Sequence, residues 1–225
     1  MSSVRSLIGS LIGKKVVMAV TGAVLLLFVL LHMIGNLHFF QGPAELNGYA
    51  EFLRTMGAPV TSRGELLWIV RLVTLAALVG HLWAAWAVTR ASWAARPVGY
   101  HDLKLIETTY AARTMRWGGV LILLFVIYHL LDFTFGRVNP GFVAGDVYRN
   151  VVASFSRWPV AVAYLVAMFA LCFHMYHGIE SGLQTLGANH PRYNGLRRGF
   201  AIAYAVIVAA GFASVPVAVL AGWTR

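Results

Sequence analysis

Residues 159–186 read PVAVAYLVAMFALCFHMYHGIESGLQTL. The run holds one carboxylate, Glu180, and no Lys or Arg. A helix needs roughly 20 mostly apolar residues to cross the hydrocarbon layer of a bilayer. A membrane barrel strand would be shorter and would alternate apolar with polar residues. Lipid offers the backbone no external hydrogen-bond partner, so the run must satisfy itself as a helix. Two histidines, His174 and His177, stand inside it. An ionisable side chain within a span is costly and marks a functional site by default.

Four more runs of this kind flank it, at 16–40, 66–88, 117–135 and 200–223. The pattern predicts an all-α integral membrane protein, one domain over residues 1–225, with five transmembrane helices. The first four are expected to form one bundle. Composition agrees. Charged residues make up 12% and hydrophobic residues 59%, with a mean hydropathy of +0.71. A soluble domain carries about 25% charged residues, so a soluble globular enzyme is excluded, and disorder with it. The first run has a basic lead-in but far exceeds the 7–15-residue apolar core of a signal peptide, and no A-x-A-like cleavage site follows it. It is read as a retained helix. Trp68, Trp117, Trp158 and Trp223 fall near helix ends, where indoles anchor at the interface.

The net charge is +10. Its Lys and Arg lie mostly between the apolar runs, so they set topology and need no nucleic acid to explain them. Eleven fall on one side: Arg5, Lys14, Lys15, Arg90, Arg96, Lys104, Arg113, Arg116, Arg192, Arg197 and Arg198. Seven fall on the other: Arg54, Arg63, Arg71, Arg137, Arg149, Arg157 and Arg225. The positive-inside bias predicts a cytoplasmic N-terminus and an external C-terminus in the inner (cytoplasmic) membrane. The one cysteine, Cys172, excludes an intrachain disulfide, a Cys-based zinc or iron–sulfur site and a C-x-x-C-H heme attachment. It reads as a buried small hydrophobe.

Four of the five spans carry histidine at depth: His32, His81, His129, and the pair His174/His177. Counting 1.5 Å per residue, His32 lies about 24 Å and His129 about 18 Å from the inner ends of their helices. His81 lies about 10 Å, and His174 about 18 Å or less, from the inner ends of the descending helices. The depths predict an outer pair, His32/His129, and an inner pair, His81/His174. Two imidazole pairs across a bundle fit two bis-histidine b-type hemes stacked along the membrane normal. Gly22, Gly35, Gly80, Gly118, Gly119, Gly178 and Gly182 lie near the histidines. They admit either a flat macrocycle or close helix–helix packing. A zinc or copper site would gather its histidines at one depth. A proton relay would recruit more buried acids than Glu180 and Asp132, the only two near the apolar core. Histidines that only hydrogen-bond between helices are the ordinary alternative for any single one.

Three segments carry a resemblance. The first helix reads KKVVMAVTGAVLLLFVLLHMIGNL, the third RWGG followed by nine residues and His, the fourth FHMYHGIESGLQTLGANHPRY. The chain resembles, over essentially its whole length, the five-helix diheme cytochrome b anchor of succinate dehydrogenases and fumarate reductases, in the group with a single anchor polypeptide. The fifth helix matches only in hydropathy. The resemblance implies heme ligation by His32, His81, His129 and His174. Gly178 and Gly187 follow His174 at the family's spacing, which favours it over His177. Arg116 and Gly119 stand where the family commonly has an arginine and a glycine. Arg71, Arg116 and His177 are candidates for heme propionates, with a quinone the alternative partner of His177 and snorkelling to the interface the alternative for the arginines.

The resemblance further implies a flavoprotein subunit and an iron–sulfur subunit on the cytoplasmic side, docked on the loop with Tyr100, His101, Asp102, Lys104, Glu107 and Tyr110. It implies electron transfer through both hemes to menaquinone or ubiquinone, with fumarate reduction as the reverse direction. Of the outer-loop carboxylates Glu45, Glu51 and Glu65, Glu51 is the candidate for the quinone site, a solvated surface carboxylate being the alternative. The chain itself would hold no dicarboxylate site. The diheme anchors of nitrate reductase, formate dehydrogenase and hydrogenase are rivals, but they place more than one ligand on some helices. A non-redox membrane protein is the rival of a different class.

Overall fold

The computed structural model describes residues 9–95 and 110–224, and the side chains of residues 110–114 lie outside that description. So do Arg5, Arg96, Lys104, Arg225 and the expected docking residues Tyr100, His101, Asp102 and Glu107. Seven α-helices occur among the described residues: α1 (Leu11–Asn36), α2 (Pro43–Thr55), α3 (Glu65–Ala94), α4 (Tyr110–His129), α5 (Val147–Phe155), α6 (Trp158–Thr185) and α7 (Asn194–Leu220). There is no strand among them. Five helical segments are long and apolar enough to cross a membrane: Leu11–Gln41, Glu65–Ala94, Met115–Thr134, Trp158–Thr185 and Pro191–Leu220. These are the five expected spans, several of them lengthened at their polar ends.

Local chemistry sets the ends. Ser10 caps α1, its Oγ accepting the Gly13 N–H at 3.0 Å. A 3₁₀ turn (Leu37–Gln41) prolongs α1 and stops at Gly42, whose φ of 105° is open to glycine. Pro43 then starts α2, where a missing N–H costs nothing. The Asp146 carboxylate accepts the Arg149 N–H at 3.1 Å and caps α5.

Helices α2 and α5 stand where the sequence suggested only loops. Neither is long enough to span. Each buries one face, α2 through Leu46 and α5 through Tyr148, Asn150, Ser154 and Phe155. They share one end of the bundle, called the outer end here after the charge bias. Asn47 joins them: its Nδ2 donates to Asp146 Oδ1 at 3.0 Å and its Oδ1 accepts the Tyr148 N–H at 3.1 Å.

Among the long helices the close pairs are α1/α3, α1/α6, α1/α7, α4/α6 and α6/α7. Helix α3 does not join α4 or α6 in that set. The packed core is concentrated toward the outer end, where Phe39, Leu46, Tyr148, Phe155, Tyr164 and Val219 meet. A second cluster, Met33, Met175, Ala205 and Val208, ties α1, α6 and α7 together at mid-depth. Large apolar side chains on the outward faces, among them Leu27, Leu31, Val79, Trp86 and Phe169, are exposed as lipid-facing residues are.

Candidate functional site

The four expected histidines meet in the expected pairs. The His32 and His129 ring centroids are 5.8 Å apart, and those of His81 and His174 are 6.2 Å apart. Each pair joins two different helices, α1 with α4 and α3 with α6. Two imidazole nitrogens held at about 2 Å on opposite sides of one metal ion would put ring centres about 6 Å apart, allowing about 1 Å from each nitrogen to its ring centre. The observed separations match that span. Among the described residues, no group of three or more His, Cys, Asp or Glu side chains gathers as a metal site. The arrangement therefore offers paired imidazoles and not a multi-ligand zinc or copper cluster.

Three helices give the same spacing between the two levels. On α1, Gly22 faces the His81 ring and His32 follows ten residues later. On α4, Gly119 faces His174 and His129 follows ten residues later. On α6, Tyr164 touches His129 and His174 follows ten residues later. Ten residues of helix rise about 15 Å, so the pairs are stacked along the bundle about 15 Å apart.

The glycines divide by role. A Cβ on Gly35 would lie 2.6 Å from the Tyr49 ring, and one on Gly80 would lie 3.2 Å from Thr21 Cγ2. These two serve helix packing. A Cβ on Gly22 would sit 3.4 Å from His81 Cε1, and one on Gly119 would sit 3.8 Å from His174 Cε1. Gly118 and Gly178 face open space. Gly182 comes only into ordinary contact with Ala19.

Hydrogen bonds orient two of the four rings in the same sense. His81 Nδ1 lies 3.1 Å from the Met18 carbonyl and must donate to it. The Thr21 hydroxyl, which donates to Val17 O at 2.7 Å, accepts from the same nitrogen at 3.4 Å. His129 Nδ1 lies 3.4 Å from the Tyr164 oxygen. Tyr164 O–H donates to Asp132 Oδ2 at 2.9 Å, which leaves its oxygen to accept from His129. Both rings thus carry their proton on Nδ1 and keep Nε2 free for a ligand, the usual arrangement of a metal-bound histidine. His174 Nδ1 is buried with no hydrogen-bond partner among the described residues. Among the described residues His32 is held by rings, Phe28 stacked at 5.5 Å and Phe212 at 5.7 Å.

The remaining candidates are placed as follows. His177, half-buried, is one turn past His174, and the ring opposite His81 is that of His174. The Arg71 guanidinium lies over the Trp68 ring at 5.0 Å, and that of Arg116 over Trp93 at 5.5 Å, both exposed at helix ends. The second contact bridges α4 to α3. Glu51 is exposed and ion-paired with Arg63 at 2.8 Å. Glu180 pairs with Arg197 of α7 at 4.0 Å. Glu45 and Glu65 are exposed, and Glu65 accepts the Ser62 N–H at 2.8 Å. Cys172 is partly buried beside the mid-depth cluster. Tyr164, Ser154 and Arg157, which gather on Asp132, were not singled out in the sequence for this role. The signal for them was Asp132 itself, a carboxylate in an apolar run.

These features define a class: a multi-pass helical membrane protein with two cross-bundle imidazole sites. The family model described as succinate dehydrogenase/fumarate reductase transmembrane subunit matches residues 94–214. The chain belongs to that family and is a membrane subunit of succinate dehydrogenase or fumarate reductase complexes. The match takes in His129 and His174 and stops short of His32 and His81. No curated protein and no solved structure matches the chain significantly.

Proposed function

We propose that this subunit is a diheme cytochrome b of the single-polypeptide anchor type. Two b-type hemes, when bound, supply one-electron transfer across the bilayer between the iron–sulfur subunit and a quinone, menaquinone or ubiquinone. His32 and His129 would hold the outer heme, and His81 and His174 the inner one. The observation that carries this reading is the pairing of imidazoles at 5.8 Å and 6.2 Å on two levels of one bundle.

The chain's residues have two tasks here. Met18 and Tyr164 hold the His81 and His129 tautomers with Nε2 free. Gly22 and Gly119 leave room beside the inner pair, and Gly118 and Gly178 leave open space for a flat ring. The flavoprotein and iron–sulfur subunits bind on the cytoplasmic side, at the inner end. Arg71, Arg116 and His177 remain propionate candidates, and Glu51 the quinone-site candidate.

The test is a pyridine hemochrome assay on the purified protein with reduced-minus-oxidised spectra. Two hemes per chain are expected, and His129→Ala should lose one centre and keep the other. A colourless wild-type protein would overturn the proposal.

A further inference from the structure

The outer pair has a feature that the inner pair lacks. Asp132 is 0% exposed, and three side chains, those of Tyr164, Ser154 and Arg157, point at it. Tyr164 O–H and Ser154 O–H both donate to its Oδ2, at 2.9 Å and 2.6 Å. Arg157 Nη2 lies 3.4 Å from its Oδ1, and Arg157 Nη1 donates to the Val138 carbonyl at 2.9 Å. A buried carboxylate is tolerated only when it is paired and hydrogen-bonded in this way. The network comes from three elements: the π-helical turn Leu130–Thr134 that ends α4, helix α5, and α6 with its leading residue Arg157. It ends on His129, through Tyr164.

We infer that Asp132 and Tyr164 are positioning residues for the outer centre, a carboxylate–tyrosine–histidine relay that fixes His129 and strengthens Nε2 as a donor. The inference rests on the diheme reading. A hydrogen bond from Nδ1 toward a carboxylate raises the basicity of the opposite nitrogen. A stronger nitrogen donor favours the oxidised metal, and second-shell hydrogen bonding is one of the protein's means of tuning a potential. Among the described residues the inner pair has no such link. His81 donates to a neutral carbonyl, and His174 Nδ1 has no partner. The relay therefore acts on one centre only. It works by hydrogen bonding and needs no change of protonation.

The experiment is an optical redox titration, with low-spin electron paramagnetic resonance spectra, on the complete membrane complex carrying Tyr164→Phe or Asp132→Asn. Tyr164→Phe keeps the ring that fills the outer core, so it serves where Asp132→Asn fails to fold. Each variant should keep two hemes, shift one midpoint potential upward, and change one spectral signal. The centre affected should be the one missing in His129→Ala. If Tyr164→Phe leaves both potentials and both signals unchanged, or shifts both equally, the relay is refuted while the diheme reading stands. A wild-type complex without heme in this subunit would refute the diheme reading and the relay with it.

Discussion

His174 and His177 differ by three residues on one helix and show what a single side chain decides. Both were visible in the sequence as ionisable groups in an apolar run. The choice between them came from a family spacing, and the structure sets His174 opposite His81. On the proposed diheme reading, His177→Ala should therefore leave both hemes bound, whereas His174→Ala should lose the inner one; heme-to-protein ratios distinguish the two results. Loss of the inner heme in His177→Ala would reverse the choice. Other residues gave little warning. Nothing in the composition around Tyr164 marks it as the partner of His129, because a tyrosine in a span reads equally well as packing. Its role depends on a hydroxyl meeting a residue 35 positions away, and such meetings are fixed by tertiary structure.

At the scale of elements, the five spans were legible because length and hydropathy alone specify them. Helices α2 and α5 were not. They are 13 and 9 residues long, and their stability comes from docking and not from propensity. The Asn47 bridge holds that docking, so Asn47→Ala should cost about 1–2 kcal/mol, the cost of leaving part-buried hydrogen-bonding groups unmet. Thermal unfolding in detergent would register it.

The same junction predicts a pH effect. The Asn47 amide holds the Asp146 carboxyl below its ordinary value, helped by the Arg149 N–H and charge. A depressed folded-state value means the contribution is fully present above the ordinary aspartate value, about pH 4, and is lost as pH falls through the lower folded one. Wild-type melting temperature should fall in that acid range, and Asp146→Asn should remove that part of the fall. An identical acid profile in the variant would refute the assignment.

For the whole molecule, the sequence carried the all-helical class and the five spans but not which helices pack. Hydropathy cannot distinguish a lipid-facing residue from one buried between helices, since lipid and protein interior are alike apolar. Orientation is a whole-molecule property too. In intact cells or spheroplasts lacking Cys172, a membrane-impermeant thiol reagent should label Val60→Cys, whose position is 92% exposed at the outer end, and spare Lys15→Cys. The opposite pattern would invert the proposed topology.

Helix α7 carries no histidine, yet 39% of its most apolar window is buried, the highest share of the five spans. Tyr204 reaches across to the Leu26 carbonyl at 2.5 Å, and Gly211 lets Met33 lie against α7, one residue past His32. The helix works as a splint on the first span. On the proposed diheme reading, a polypeptide cut short before residue 194 would keep all four paired histidines and still lose the outer heme, so intact histidines alone would not guarantee a working cytochrome.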